Sequence, residues 1–413
     1  MSVVRQVVIT GIGALTPVGN DVKSTWESLV DGKSGIGPIT SFDASALPVR
    51  IAGEVSGFDP STLLRHKIRR RTDRFSQFAV AAAREAVGDA GLEIGEENAH
   101  RVGVVLNNAV AGVTSIERNV LALAERGMRA VSPTFVPGMI PNMAACEVAI
   151  DLGVHGPVTA SVLACASGNY AVLEARRLIL SGEADVVIAG GTDSAIAEVM
   201  FAGLSTMGAL SRRNDDPAAA SRPFDADRDG FVYGEGAVVL VVETLEHARA
   251  RGAMPYAEIA GGALTTDAFH VSAPEPSAAY AAESIRQSLV RSDLAPADID
   301  YICAHGTSTR ANDRVETQAI RAVFGAEAGE VAVSSPKSMV GHLIGAAGAL
   351  SVMVCALAVR DGIVPPTINL ENPDPECELD HVAHRPRPVP VRAALANAFG
   401  FGGHNCVVAI RAV

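Results

Sequence analysis

Aromatic side chains are scarce in this 413-residue chain: one Trp, five Tyr and twelve Phe make up 4% of it. That removes the stacking platforms on which single-stranded nucleic acid is held. Positive charge is also in deficit. The 34 Lys and Arg face 46 Asp and Glu, a net charge of −12, which argues against a surface built for nucleic-acid phosphates or anionic lipid. Six cysteines, at 146, 165, 303, 355, 377 and 406, lie far apart with no CxxC pair, so neither a disulfide framework nor a short-range zinc site is expected. The start MSVVRQVVITGIGALTP lacks the cationic flank, apolar run and cleavage site of a secretory leader, and a cytoplasmic location is the expectation. The longest uncharged stretch, 338–359, nearly reaches bilayer length, but it holds His342 and glycines 341, 345 and 348. A buried core helix fits it better than a membrane span.

What the chain does have is a globular balance, 48% hydrophobic and 19% charged, with strand-length apolar runs alternating with helical patterns. RQVVITGIG, a helix near 23–30, a helix at 75–90, RVGVVLNN, PVTASVLA, a helix at 170–180 and DVVIAGG come first. After GFVYGEGAVVLVVETLEHARARGA the rhythm resumes with YAEIAGGAL, a helix at 278–290, DIDYICAHG, a helix near 315–323, VAVSSPK, a long helix beyond Gly341 and ALANAFGFGGHNCVVAI. This is an α/β protein. No linker rich in Ser, Pro or charge divides it, and the reading is of two closely packed halves, 1–254 and 255–413.

Three strand ends carry reactive side chains. Cys165 stands in PVTASVLACASGNYAVLEARRLIL, where an apolar run passes through small residues into a helix. A thiol there meets unpaired N–H groups and the positive end of the helix dipole, which favour thiolate, and small neighbours let a carbonyl approach. A packed core cysteine is the plainer reading, and this segment alone leaves both open. His305 opens HGTST after DIDYICA, with hydroxyls at Thr307, Ser308 and Thr309; a ligand-binding loop and a helix cap ahead of Asp313 are both compatible with it.

His342, in SSPKSMVGHLIGAAGAL, follows Lys337 by five residues. A neutral imidazole can donate to a developing enolate or oxyanion, and a nearby ammonium can hold the protonation pattern that this needs. A Cys-His-His metal site ranks below catalysis because it shows no closely spaced ligand pair. The turn GFGGHN, 400–405, can present backbone N–H groups to an oxyanion or simply let two halves pack closely. Finally, RHKIRRRTDR, 65–74, sets six cations against one carboxylate in an otherwise acidic chain. Such a patch suits an acidic protein partner.

Together, ACASG around Cys165, HGTST from His305, PKSMVGHLIGAAG around Lys337 and His342, and GFGGHN resemble the type II elongating β-ketoacyl-[acyl-carrier-protein] synthases; VVITGIGALTPVGN, SRPFDADRDGFVYGEGA and DAFHVSAP extend the resemblance over nearly the whole chain. It implies a thiolase-like, five-layered αβαβα fold made of two similar halves, usually a homodimer. It implies further that Cys165 takes an acyl chain as a thioester, with the N–H groups of Cys165 and Phe401 as oxyanion hole. His305 and His342 would stabilise the enolate formed when malonyl carrier protein loses carbon dioxide, and Lys337 would organise the histidines. Thr307, Thr309 and Ser272 would bind the substrate arm, Phe401 would gate the acyl pocket and Val110 would line it. Arg65, Lys67 and Arg69 would receive acyl carrier protein. The phosphopantetheine of that partner carries the substrates, so no metal or other cofactor is implied.

The chain departs from the family pattern at several positions. Asn107 to Gly112 replace a glycine-rich turn, Ser351 replaces a Glu, Arg310 a Pro, Tyr233 a Met and Thr72 a Met. These differences point toward specialised metabolism, such as polyketide or polyene synthesis. They also keep a second role in view, that of a chain-length-factor-like partner of a ketosynthase heterodimer. A Cys-dependent thioester hydrolase is a third reading, though it leaves the second histidine and Lys337 without a task.

Overall fold

The structure, a computed structural model, describes residues 5–413; the first four residues of the MSVVRQVVITGIGALTP segment lie outside the described part. Apolar runs without polar alternation become strands covered on both faces, as in the fully buried Val7–Leu15. Eleven strands form one sheet. Its middle is the short antiparallel contact of Val7–Leu15 with Ala257–Thr266, through Val8 opposite Glu258 and Ile9 opposite Ala257.

From that contact the pairing runs outward in the same order on both sides. On one side Val7–Leu15 pairs antiparallel with Gly236–Thr244, which pairs antiparallel with Val186–Asp193, followed in parallel by Val102–Asn107 and Val158–Thr159. On the other, Ala257–Thr266 pairs antiparallel with His404–Arg411, which pairs antiparallel with Ala393–Gly400, followed in parallel by Tyr301–Cys303 and Ala332–Ser334. Asp380–His381 adds one more parallel strand at that edge.

The core is layered accordingly. Helices Ser167–Leu180 and Ala347–Asp361 lie in the middle, packed against strands of both sides. Helices Arg74–Asp89 and Met143–Leu152 cover the outer face of the first side, and Ala279–Arg291 and Arg310–Phe324 that of the second. This is the five-layered αβαβα arrangement. The uncharged 338–359 stretch supplies the middle helix, in which every residue from Ala347 to Ala358 is buried. The segment Ile344–Asp361 is apolar enough for a span, yet 83% of it lies inside the protein. An all-round apolar surface is what a helix between the two sides of the sheet requires.

Three elements differ from the sequence reading. PVTASVLA contributes only Val158–Thr159 to the ladder, because the strand sits at the sheet edge and the chain must leave it to form the turn that carries Cys165. The helix expected near 315–323 begins at Arg310, where the Thr309 hydroxyl caps it by accepting from Asn312 N at 3.3 Å. The helix expected at 170–180 likewise starts earlier, at Ser167.

Candidate active site

Cys165 lies in a single 3₁₀ turn, Ala164–Ala166, that runs directly into helix Ser167–Leu180. Ala164 is held at φ 48°, a strained conformation for a residue with a Cβ. Ser167 fixes the turn: its hydroxyl accepts from Leu163 N at 2.9 Å and donates to Asn108 O at 3.1 Å. The turn touches the GFGGHN segment, since a Cβ at Gly400 would come within 2.8 Å of Leu163 O and 3.2 Å of Cys165 N. Only glycine permits that approach. It brings the Phe401 N–H and the Cys165 N–H to the sulfur, where both pull the thiol pKa down together with Lys337. Burial is the stronger influence and pushes the thiol up to about 11. The helix N-terminus is where the sequence places it, but desolvation outweighs the dipole and the resting group is a thiol.

His305 and His342 reach the same point. The nearest donor atoms of Cys165, His305 and His342 all lie within 4.8 Å of one another, and the two imidazole rings meet edge to face at 5.4 Å. His305 is oriented by Glu316, whose carboxylate accepts from His305 N and Gly306 N, each at 2.8 Å, and from the Asn397 amide at 3.1 Å. His342 is held by its backbone, donating to Val232 O at 2.7 Å, and its Nδ1 accepts from Ile344 N at 3.1 Å. Neutral His342 therefore carries its proton on Nε2. That atom is buried and has no partner among the described residues, as is His305 Nδ1.

Burial first, and the Lys337 charge second, hold both histidines well below their ordinary pKa. Lys337, at the start of helix Lys337–Val340 and 3% exposed, is itself lowered by burial, against the opposing pull of Cys303, Glu316, Cys165 and Asp313. The site thus pairs a thiol with two neutral imidazoles beside one ammonium. Such a group can attack a thioester carbonyl, stabilise the oxyanion and donate to an enolate. It suits a metal poorly, because the buried ammonium opposes a second cation and His342 Nε2, being protonated, has no lone pair to give.

Residues 4–248 match the family described as Beta-ketoacyl synthase, N-terminal domain, and residues 256–371 the Beta-ketoacyl synthase, C-terminal domain. The chain belongs to the beta-ketoacyl synthase family. It is 48% identical over 407 residues to the 3-oxoacyl-[acyl-carrier-protein] synthase 2 of Synechocystis sp., covering 98% of each chain. It is 49% identical to the enzyme of that name from Coxiella burnetii, covering 97% of each. Among solved structures, the ishigamide ketosynthase/chain length factor superposes with a TM-score of 0.93 at 37% identity, over 99% of both chains. A type II polyketide ketosynthase in complex with its acyl-carrier protein, AntDE:AntF, gives 0.92 at 32% identity, over 99% of this chain and 100% of the other.

The remaining expected residues of this ketoacyl synthase are placed as follows. Thr309, which caps helix Arg310–Phe324, shares a hydroxyl contact with Thr307 at 3.0 Å. Val110 packs in an apolar cluster with Phe201, Phe231, Tyr233 and Ile344. Phe401 is 39% exposed, and Ser272 is half-buried in a turn closed by His270 Nδ1, where Val271 O accepts from Gly402 N at 2.8 Å. Ser351 turns its hydroxyl back to Ala347 O at 3.2 Å, so no carboxylate of that helix faces Lys337.

The basic run is less free than its composition implies. Arg71 and Arg74 bind buried Glu147 and Glu235 at 2.5 and 2.9 Å. Arg69 is half-buried, which leaves Arg65, Lys67 and Arg70 exposed on helix His66–Arg71 and its start. The sequence reading missed Glu316. Its signal was a carboxylate on the buried face of Arg310–Phe324, alongside Val315, Ala319 and Ile320 and one turn after the buried Asp313.

Proposed function

We propose that this ketoacyl synthase is an elongating condensing enzyme acting on carrier-protein thioesters, and that Cys165, His305, His342 and Lys337 carry the reaction. The convergence of one thiol and two neutral imidazoles within 4.8 Å supports this reading above all. In the first stage the thiol proton passes to an imidazole and the sulfur attacks the acyl thioester. The oxyanion is taken by the N–H groups of Cys165 and Phe401, and the phosphopantetheine sulfur leaves with the proton. In the second stage the malonyl C–C bond breaks and carbon dioxide departs. The electron pair remains as an enolate held by the two imidazoles, and its carbon attacks the Cys165 thioester. The sulfur is released as thiolate and takes a proton from solvent to return to the thiol, and a 3-oxoacyl chain two carbons longer remains on the carrier. No bond changes to a cofactor are needed beyond the carrier's own phosphopantetheine.

In this reading Thr307, Thr309 and Ser272 guide the arm, Phe401 gates the pocket and Val110 bounds it. The halves 1–254 and 255–413 supply the nucleophile and the histidines respectively, and the reaction belongs in the cytoplasm, in fatty-acid or polyketide synthesis. Retention of Cys165 with both histidines favours catalysis over a purely chain-length-determining role. A second subunit, the same chain or a related one, has an apolar face to sit on. Val120, Leu121 and Leu123 of helix Val113–Arg126 are each more than half exposed, as are Val136 and Ile150, and exposed apolar side chains of this kind support pairing with a second subunit.

The test is intact-mass measurement of the purified protein with a panel of acyl carrier proteins, then malonyl carrier protein. An acyl adduct at Cys165 that disappears as a longer 3-oxoacyl product forms is expected; release of free acid instead would sink the condensation. Arg65 and Lys67 are exposed enough to meet an acidic carrier. Replacing both with Glu is expected to raise KM for carrier-protein substrates about tenfold, more at low salt, with kcat unchanged. An unaltered KM at low salt would place docking elsewhere.

A further inference from the structure

We infer that Asp193 is a positioning residue that locks the acyl-pocket turn 109–111 to the segment after His342, so that the pocket wall and the enolate-stabilising imidazole are set as one unit. The inference rests on the condensing reaction proposed above. Asp193 ends strand Val186–Asp193 and is completely buried. One carboxylate oxygen accepts from Ala109 N at 2.9 Å and Gly345 N at 2.7 Å, and the other from Val110 N at 3.3 Å. Two loops far apart in sequence thus share one acceptor.

They are in direct contact there. A Cβ at Gly345 would lie 2.4 Å from Asp193 Oδ2 and 2.7 Å from Ala109 N, so nothing but the carboxylate and bare backbone separates them. Each loop also contains a strained residue, Ala111 at φ 51° and Ile344 at φ 51°. Non-glycine residues hold such conformations only where their surroundings over-determine them, and the shared carboxylate does so on both sides.

Ile344 connects the lock to chemistry, since its N–H fixes the tautomer of His342. Val110, whose N–H meets the same carboxylate, packs beside Ile344 in the apolar cluster. A buried carboxylate that accepts only backbone N–H groups is worth retaining where those groups would otherwise be orphaned. A side chain that merely filled space would not place its two oxygens on three backbone donors from two loops.

Asp193→Ala removes every contact and risks the fold, so Asp193→Asn is the main variant: it keeps the volume but turns an amide N–H onto one or more of the backbone donors. Hydrogen exchange followed by mass spectrometry is expected to show segments 109–112 and 343–346 opening together, about tenfold faster, with strand Val7–Leu15 unchanged. The condensation kcat is expected to fall by about tenfold, and the ranking of acyl chains at Cys165 to change, while the protein stays folded by circular dichroism. Loosening of one segment alone, a uniform rise across the whole chain, or paired loosening with kcat and chain ranking unaltered would each overturn the lock. The exchange arm needs no activity. If wild type formed no acyl-enzyme, the condensing reading would fall while the paired exchange still decided whether Asp193 joins the loops.

Discussion

Cys165→Ala is expected to eliminate acyl-enzyme formation and lower elongation on the order of 10⁶-fold, the scale seen when a covalent nucleophile is removed. The other cysteines offer no substitute: Cys303, Cys355, Cys377 and Cys406 are at most 1% exposed, against 8% for Cys165, and Cys146 sits apart on helix Met143–Leu152. The variant should retain decarboxylation of malonyl carrier protein within about tenfold of wild type, because His305, His342 and the Phe401 N–H do not depend on the sulfur. Stability should change little, since a thiol lost from a tight turn leaves a small void. Intact mass reads the first step and carbon dioxide release the second. An adduct that survives the substitution would place the nucleophile at another cysteine. Loss of both steps together would mean that the sulfur also shapes the malonyl site.

Much of this arrangement was legible in the sequence, and the physical reason is the same for each part that was. ACASG, HGTST and PKSMVGHLIG all occur where an apolar run stops, and in layered α/β folds strand ends are where side chains can leave the core and meet. Alternating runs gave the layers, and an apolar stretch containing a histidine and three glycines read correctly as a core helix. What stayed hidden were pairings across the layers. Glu316 and Asp193 serve loops that lie 11 and 84 residues away, and neither partner set has a local pattern. Burial was hidden too: the dipole at the start of Ser167–Leu180 is local and visible, whereas the desolvation that keeps Cys165 protonated depends on everything packed over it. The pairing within the basic run was hidden in the same way, because Arg71 and Arg74 are matched by Glu147 and Glu235 from distant segments.

Lys337 is where the electrostatics can be tested most sharply. Among the described residues its ammonium is the one charge that pushes down both histidines, the neighbouring imidazole of His342 adding to the effect on His305. Replacing it with Met leaves the buried Glu316, Asp313 and Asp193 near the site and removes the cation, so both imidazole pKa values rise. A second proton on His342 would have to sit on Nδ1, against the Ile344 N–H that this atom now accepts from, and would break the contact that fixes the ring. Activity should therefore disappear on acidification at a higher pH than in wild type. Burial remains, so neither histidine returns to its ordinary value near 6.5, but each stands closer to it than before, and the variant should lose more activity between pH 8 and 5.5 than wild type does. The Cys165 thiol shifts upward in the same variant, since Lys337 lowers it, so acyl transfer should slow at every pH while decarboxylation slows mainly in acid. Rates of carbon dioxide release and of acylation between pH 5.5 and 8 separate the two effects. An acid limb that does not move would show that burial alone keeps the histidines neutral and that Lys337 has another task.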